Sequence, residues 1–342
     1  MEWLYGRLRM KVLILTEKEI KPLLKIDEVM NAVEEAFKEK ALGHVQMPPK
    51  IYLTYDKYNG DLRAMPSYLE RLEISAVKVV NAHPDNPEKF NLPTVMAIIV
   101  LVDPRNGVPL AVMSGRYITA MRTGAAGGIA AKYLARKDSK TVGLVGAGTQ
   151  ARTQLMALLS LYGKLKEVRV WDRSEKSIKR YISEMEPFCR GKATLISVES
   201  AKDVVKDADI IVTTTPSRKP LVSNEWITEG MHITCIGADA PGKEELDPKI
   251  LLRAKIYLDD WKQGLHSGEV NVPFSKGMIK KENIYGELSE VIAGLKPGRT
   301  SPDEITLFSS TGLAIQDAVT AKLVYDKALE MKIGQWIEMF PN

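Results

Sequence analysis

The sequence predicts an α/β protein with two parts, a doubly wound parallel sheet and a separate α+β unit. Beyond Thr141, short apolar runs alternate with helical segments, which is the pattern of parallel strands joined by helices. Before Thr119, apolar runs follow one another around a single long helical segment, which is typical of a mixed or antiparallel sheet. The 342 residues are enough for two cores, since single domains usually have about 100–200 residues.

The first part is predicted to form a sheet with one helix. Its strands are expected at Lys11–Leu15, Ile51–Tyr55, Ala76–Val80, Val95–Val102 and Leu110–Met113. Apolar residues recur at helical spacing over Glu28–Leu42, with Asp27 as the expected N-cap and Gly43 as the stop. Asn59-Gly60 indicates a turn, and Asn106-Gly107 indicates a hairpin between the last two strands.

The second part begins with a predicted helix over residues 120–135 that is rich in Ala and Gly. Strands of the parallel sheet are then expected at Thr141–Val145, Glu167–Trp171, Thr194–Ser197, Asp209–Thr213, His232–Ile236 and Lys255–Leu258. After Pro297 the pattern predicts one more strand, a Ser/Thr/Gly turn and a long amphipathic helix.

Composition excludes several classes of protein. The net charge of +5 comes from 48 basic and 43 acidic residues that are well mixed, which argues against a nucleic-acid partner. No apolar run approaches the roughly 20 residues of a membrane helix, so no membrane partner is expected. The two cysteines, Cys189 and Cys235, lack a CxxC spacing, which fits a reducing, cytoplasmic setting. Met1–Met10 does not resemble a signal peptide, and Met10 is an alternative start that leaves residues 1–9 open.

Residues Thr141–Gln150, TVGLVGAGTQ, are the most informative segment. The apolar strand is followed by Gly146, Ala147 and Gly148 and then by a predicted helix, Thr149–Tyr162. In such a unit, backbone N–H groups and the helix N-terminus bind a pyrophosphate. Asp172 ends the next strand, about where an acid meets the adenosine ribose, roughly 20 residues further on. We therefore expect a dinucleotide site in a Rossmann sheet rather than an ordinary tight turn.

Three residues are candidates for chemistry, each with a structural alternative. Lys78 lies in the run VKVV and is either an outward-facing side chain or a buried amine with a lowered pKa. Arg122, in MRTGAAGG, either accompanies helix packing or binds an anion through paired hydrogen bonds. Asp239 follows a strand of the parallel sheet and either transfers a proton at the ligand edge or stabilises its own turn.

Further candidates are weaker. Lys50 and Arg63 flank the strand Ile51–Tyr55 and either bind a carboxylate or are solvated. Thr213, Thr214 and Thr215 end a parallel strand at the expected ligand edge. The four histidines show no metal-binding spacing, so no metal is expected, and no GxSxG elbow is present.

Segments spread from about residue 11 to the end resemble the ornithine cyclodeaminase and mu-crystallin family, in particular its archaeal alanine dehydrogenase branch. The segments that carry the resemblance are QMPPKIYL, GDLRAMPSY, VKVVNAHPDNP, LPTVMA, MRTGAAGGIAAKYL, VGAGTQA, TTTPSRKP, IGADAPGKEELD and SSTGLAIQD. The resemblance implies a homodimer. It also implies a substrate-binding and dimerisation domain of residues 1–120 with 310–342, and an NAD-binding Rossmann domain of residues 121–309.

The resemblance also implies roles for individual residues. Lys78 and Asp239 would be the catalytic pair, Arg122 would touch the substrate carboxylate and the cofactor, and Lys50 and Arg63 would line the substrate pocket. The expected cofactor is NAD(H), with NADP(H) left open because Arg173 follows Asp172. Cofactor contacts are expected at Thr94, Arg122, Gly146, Ala147, Gly148, Thr149, Gln150, Asp172, Arg173, Thr214, Thr215, Gly237, Ala238 and Ser310.

One departure from the family pattern bears on the substrate. Cyclodeaminases of this family tend to carry an acid where this sequence has Arg63, and a cation there would repel the distal ammonium of ornithine. The resemblance thus implies reduction of Δ1-pyrroline-2-carboxylate to L-proline first, and alanine dehydrogenase activity with pyruvate and ammonia as the alternative. Cyclodeamination and non-catalytic, mu-crystallin-like binding rank lower.

Overall fold

The computed structural model describes residues 11–339. These residues divide into two compact units, one of residues 11–122 with 313–339 and one of residues 123–312. The boundary between residues 122 and 123 falls inside a long helix, Gly115–Leu134.

The first unit contains a mixed eight-stranded sheet. Its strands are β1 (Lys11–Leu15), β2 (Val45–Gln46), β3 (Ile51–Tyr55), β4 (Gly60–Leu69), β5 (Ile74–Ala82), β6 (Val95–Val102), β7 (Pro109–Ser114) and, from the end of the chain, β18 (Gln335–Glu338). The order is β18-β1-β7-β6-β5-β4-β2, and β3 pairs with β4. Only the β1–β7 pair is parallel among these described strands.

The described helices of this unit are α1 (Glu17–Ile20), α2 (Ile26–Ala41), α3 (Asn86–Lys89), the first part of α4 (Gly115–Leu134) and, near the end of the chain, α12 (Ala314–Met331). The helix α12 packs on β4 and β5 and against α2. Alternate residues of β4, β5 and β6 are therefore buried beneath it, and the residues between them point to the opposite face.

The second unit is a doubly wound sheet, as predicted. Its strands are β8 (Thr141–Val145), β9 (Glu167–Trp171), β10 (Thr194–Ser197), β11 (Ile210–Thr213), β13 (His232–Cys235), β15 (Lys255–Leu258), β16 (Ile284–Glu287) and β17 (Thr306–Ser309). All pair in parallel, in the order β10-β9-β8-β11-β13-β17-β15-β16. The chain order reverses at β8, so the crevice between β8 and β11 is the expected ligand position in such a sheet.

The remaining elements of the second unit are short except for two helices. The helices are α5 (Thr149–Tyr162), α6 (Glu175–Cys189), α7 (Ala201–Val205), α8 (Pro248–Leu251), α9 (Trp261–Ser267), α10 (Asn271–Ser275) and α11 (Leu288–Ile292). A small parallel pair, β12 (Arg218–Val222) with β14 (Glu244–Leu246), lies outside the main sheet.

Sequence and structure differ at the less periodic elements. The expected cap, Asp27, is wrong: α2 begins at Ile26 after Lys25, and Asp27 lies in its first turn. The long strand β4 was missed because Arg63, Pro66 and Ser67 interrupt its apolar pattern. The short strands β2, β12, β14, β16 and β18 were missed for a similar reason, since two to five residues carry little periodicity. Among residues 11–339, no helix is both long and apolar enough to cross a membrane.

Candidate active site

Lys78 lies in the middle of β5 on the helix-covered face of the sheet. Its direct neighbours across the strands are Met65 on β4 and Ile99 on β6, and Met113 on β7 lies beyond Ile99. These apolar neighbours leave Lys78 only 1% exposed. The outward-facing alternative is therefore wrong, and Lys78 is a buried amine.

One carboxylate holds Lys78 and Arg122 together. Asp317, in the first turn of α12, lies with Oδ2 2.6 Å from Lys78 Nζ and accepts a 3.0 Å hydrogen bond at Oδ1 from Arg122 Nε. Arg122 also donates to Gln316 Oε1 at 3.0 Å, and Lys78 donates to Thr119 Oγ1 at 3.4 Å. Both cations and the carboxylate are buried, so the geometry of Lys78 is set by its neighbours rather than by solvent.

The electrostatics of this cluster favour a neutral amine. Burial lowers the pKa of Lys78, the Asp317 carboxylate raises it, and the charges of Arg122 and Lys50 lower it again, so that the resulting pKa is about 7. Near neutral pH, Lys78 is thus available in both protonation states. Two basic side chains, Lys78 and Arg122, pair with the single carboxylate of Asp317, and the charge of Lys50 is near enough to lower the pKa of Lys78.

Arg63 differs from the expectation of a simple carboxylate ligand. It lies buried on β4, and its Nε and Nη2 donate to Asp61 Oδ1 and Oδ2, both at 2.9 Å. The guanidinium also lies over the Tyr52 ring, 5.4 Å from its centroid. Asp61 therefore balances much of the charge of Arg63. Lys50 is half-buried just before β3, and Thr94 is half-buried just before β6.

The glycine segment forms the expected strand–turn–helix. Gly146 has φ 106°, a left-handed conformation that favours glycine, and a Cβ there would lie 2.6 Å from Thr214 Oγ1. Gly148 is the N-cap of α5, and a Cβ there would meet no atom of residues 11–339 within 4 Å. The space at the start of α5, beside Thr149 and Gln150, is therefore open to a ligand. Ala151 is fully buried, which allows close packing of helix and strand.

Asp172 follows β9 and lies directly beside this loop. Its Oδ2 accepts the Ala147 N–H at 2.9 Å, and its Oδ1 accepts the Ser174 N–H at 2.9 Å. The carboxylate is thus fixed at the edge of the turn, while Arg173 next to it is exposed.

Three further loops leave the same edge of the second sheet. Thr214 and Thr215 follow β11, the segment from Gly237 to Asp239 follows β13, and Ser310 follows β17. Because β8, β11, β13 and β17 are neighbours and parallel, their carboxyl ends form one continuous edge. Asp239 Oδ1 lies 2.6 Å from Lys243 Nζ, so its carboxylate is paired with a cation four residues further on. Ala238, which precedes Asp239, is buried.

The residues of this edge fit a dinucleotide. The left-handed Gly146, the open N-terminus of α5 and the fixed Asp172 provide a turn, backbone donors and an acid in the order that such a cofactor requires. For a metal the situation differs: within residues 11–339, no group of three or more His, Cys, Asp or Glu side chains is arranged to hold one. His232 bonds Thr306 and Thr234, and burial lowers its pKa to about 3.

Sequence reasoning missed Asp317, Gln316 and a buried acid, Glu245, on β14. Asp317 stands in the first turn of a helix, where an acid is ordinarily explained by the helix dipole. Glu245 stands in the charged run GKEELD, which reads as a solvated turn. The signal that could have marked Asp317 is its place in SSTGLAIQD, one of the segments that carry the family resemblance.

Comparisons with known proteins cover nearly the whole length of the chain. The sequence profile of the ornithine cyclodeaminase/mu-crystallin family matches residues 10–332. An alanine dehydrogenase from Archaeoglobus fulgidus is 53% identical over 97% of this chain and 99% of its own. An archaeal alanine dehydrogenase dimer with bound NAD has a TM-score of 0.92 at 52% identity, covering 97% of this chain and 100% of that one. Δ1-Pyrroline-2-carboxylate reductase of Thermococcus litoralis, in complex with NADH and L-proline, has a TM-score of 0.91 at 43% identity, covering 95% and 99%.

Proposed function

Because the chain belongs to the ornithine cyclodeaminase/mu-crystallin family, we propose that it is an NAD(H)-dependent reductase of small α-imino acids, with Δ1-pyrroline-2-carboxylate as the first substrate and L-proline as the product. The observation that carries this proposal is the buried Lys78, paired with Asp317 and with a pKa of about 7. An amine in this state can donate a proton to a reacting nitrogen near neutral pH.

The basic side chains Lys78, Arg122 and Lys50 near Asp317 support the choice of an anionic substrate. Arg122 and Lys50 would hold the carboxylate of the imino acid, since guanidinium groups bind carboxylates through paired hydrogen bonds. Arg63, already bonded to Asp61, would line the pocket rather than supply its main charge. A carboxylate fixed in this way orients the adjacent carbon and nitrogen for reaction.

The second unit would hold the cofactor. The backbone N–H groups at the start of α5 would bind the pyrophosphate, and Asp172 would accept the ribose hydroxyls. Thr214, Thr215, Gly237, Ala238 and Ser310 would line the same edge. The bound nicotinamide would supply the hydride. Asp239, whose carboxylate is paired with Lys243, would exchange a proton with the substrate.

Alanine dehydrogenase activity is the alternative, because the Archaeoglobus fulgidus relative that carries this name is 53% identical. Pyruvate presents the same carboxylate to Arg122 and Lys50, but the reaction must also recruit ammonia. Cyclodeamination of ornithine ranks lower, since this sequence has Arg63, paired with Asp61, where the family resemblance implies an acid for the distal amine. A purely binding, mu-crystallin-like role ranks lower as well, because ligand binding without turnover does not require the buried Lys78–Asp317 pair.

We further propose that the protein is a cytoplasmic homodimer. Ile51, Ala64, Val79 and Ile98 lie directly opposite one another across β3, β4, β5 and β6, on the face away from α12. Of this row, Ile51 is 60% and Ile98 is 54% exposed. An apolar row across four strands favours burial against a second copy, and the archaeal alanine dehydrogenase with bound NAD is a dimer.

The experiment is an NADH oxidation assay with each candidate substrate. Δ1-Pyrroline-2-carboxylate should give a higher kcat/KM than pyruvate with ammonium. A higher value for pyruvate with ammonium selects the alternative, and no turnover with either substrate removes the enzymatic proposal. L-Ornithine with NAD serves as the third comparison, and ammonia release from it should be slower than imine reduction.

A further inference from the structure

Glu245 and Glu269 are among the buried carboxylates of the second unit that the proposed chemistry does not use. Glu245 lies on β14, and Glu269 lies between α9 and α10; they are 0% and 1% exposed. A buried carboxylate is costly unless hydrogen-bond donors surround it. The donors around Glu245 are therefore informative about its role.

Glu245 accepts four hydrogen bonds from the ends of two neighbouring strands. Its Oε1 accepts from the Thr215 N–H at 2.6 Å and from Thr215 Oγ1 at 2.7 Å. Its Oε2 accepts from Thr213 Oγ1 at 2.7 Å and from the Gly237 N–H at 2.9 Å. Thr213 ends β11, and Gly237 follows β13, which pairs with β11. One side chain thus fastens both loops at the edge assigned to the cofactor.

The two loops are packed too closely to shift independently. A Cβ on Gly237 would lie 2.0 Å from the Thr215 carbonyl oxygen and 2.7 Å from Glu245 Cδ. The Gly237 carbonyl accepts the Asp239 N–H at 3.0 Å. The backbone of Asp239 is therefore bonded to Gly237, the residue whose own N–H is held by Glu245. On the other side, Thr214 Oγ1 faces Gly146 of the glycine turn.

Glu269 supports the strand that carries Glu245. Its carboxylate accepts the backbone N–H groups of Glu245 at 2.9 Å and of Leu246 at 2.7 Å. Burial raises the pKa of Glu269 well above its ordinary value, and the charge of Glu245 raises it further. Burial also raises the pKa of Glu245, but its four hydrogen-bond donors oppose this rise.

We infer that Glu245 is a positioning residue that sets the cofactor-binding edge, by holding the Thr213–Thr215 and Gly237–Asp239 loops in one fixed arrangement. The expected effect on NADH binding rests on the proposed function, whereas the hydrogen bonds by which Glu245 holds the two loops do not. Loss of this arrangement would misplace Thr214, Thr215 and Asp239 together, although Glu245 itself touches neither the substrate nor the reacting atoms.

The test compares Glu245→Gln with Glu269→Gln, two buried changes of the same chemistry. In Glu245→Gln, one acceptor oxygen becomes an NH2 group that only donates, so the N–H of Thr215 or of Gly237 loses its acceptor. In Glu269→Gln, one carbonyl oxygen can keep both bonds, because Oε1 alone already accepts from Glu245 and Leu246. We expect Glu245→Gln to raise the Kd for NADH about tenfold or more, and Glu269→Gln to change it by less than about twofold.

A second readout needs no cofactor. Amide hydrogen exchange of the protein without nucleotide should show slow exchange at Thr215 and Gly237 in the wild type and in Glu269→Gln, and fast exchange at one or both in Glu245→Gln. If Glu245→Gln does not fold, Thr213→Val, which removes one hydroxyl donor to Glu245, should raise the Kd by a few-fold. Wild-type exchange rates and NADH affinity in these variants would overturn the inference. Fast exchange in Glu245→Gln in a protein that never binds NADH would instead uphold the fastening role and reject the proposed function.

Discussion

The carboxylate of Asp317 lies 2.6 Å from the amine of Lys78, and both side chains are buried. The same carboxylate bonds Arg122, so one acid from the last long helix orders two cations from the first unit. This arrangement keeps Lys78 in a defined position and moderates the effect of burial on its pKa. The predictions below follow from this cluster and from the glycine turn of the second unit.

Asp317→Asn should lower the pKa of Lys78 below its value of about 7. The substitution removes the negative charge that raises this pKa, while burial and the charges of Arg122 and Lys50 still lower it. If protonated Lys78 is the acid in imine reduction, activity falls as pH rises through this pKa. The alkaline limb of the kcat/KM profile should then move to lower pH by roughly one unit or more. Asp326→Asn, which removes an exposed partner of Lys322 on the same helix, is the control and should leave the profile in place. An unshifted limb in Asp317→Asn would show that Asp317 does not tune Lys78.

Lys78→Met should change how stability depends on pH. The pKa of Lys78 is lower in the folded protein than the ordinary value of 10.5, so between about pH 7 and pH 10.5 the unfolded chain binds the extra proton. The free energy of unfolding of the wild type should therefore rise with pH in this window, relative to Lys78→Met, which cannot titrate there. Urea unfolding of both proteins at several pH values measures the difference. A constant difference across the window would mean that Lys78 is not a buried amine with a lowered pKa.

Gly148→Ala and Gly146→Ala should separate cofactor affinity from stability. A methyl group at Gly148 meets open space, so the protein should keep its Tm while the Kd for NADH rises, because the pyrophosphate can no longer approach the backbone. A methyl group at Gly146 meets Thr214, and φ is 106°, so this variant should lose roughly 1–3 kcal/mol of stability. Thermal unfolding and NADH fluorescence titration give both quantities. Unchanged NADH affinity in Gly148→Ala would place the pyrophosphate elsewhere.

NADH should bind more tightly than NADPH. Asp172 is held at the edge of the turn by the Ala147 and Ser174 N–H groups, and its charge would repel a 2′-phosphate. Asp172→Ser should narrow the difference, with the exposed Arg173 then available to the phosphate. Calorimetric titration with both nucleotides is the measurement. Equal or tighter binding of NADPH by the wild type would contradict this preference.

Sequence patterns predicted the parallel sheet well because its short apolar strands are separated by clear helices, as Thr141–Val145 is separated from Glu167–Trp171 by Thr149–Tyr162. The glycine turn could also be predicted, because the turn, the helix after it and the acid Asp172 lie close together in the sequence. Asp317 could not be found in this way, because its partner Lys78 lies more than two hundred residues earlier and only the packing of α12 on β5 joins them. Glu245 was hidden similarly: its four donors come from two other strands.

The most direct test of the proposed function traces the hydride from NADH into the product and compares the wild type with a variant that lacks the proposed proton donor, Lys78. Wild-type protein is incubated with NADH deuterated at nicotinamide C4 and with Δ1-pyrroline-2-carboxylate, and the product is analysed by mass spectrometry and NMR. Lys78→Ala is the comparison, with NADH binding measured in parallel. The account predicts L-proline with deuterium at the α-carbon from the wild type, and no product from Lys78→Ala although this variant still binds NADH. Wild-type rates in Lys78→Ala, or ammonia release from L-ornithine that is faster than L-proline formation, would contradict it.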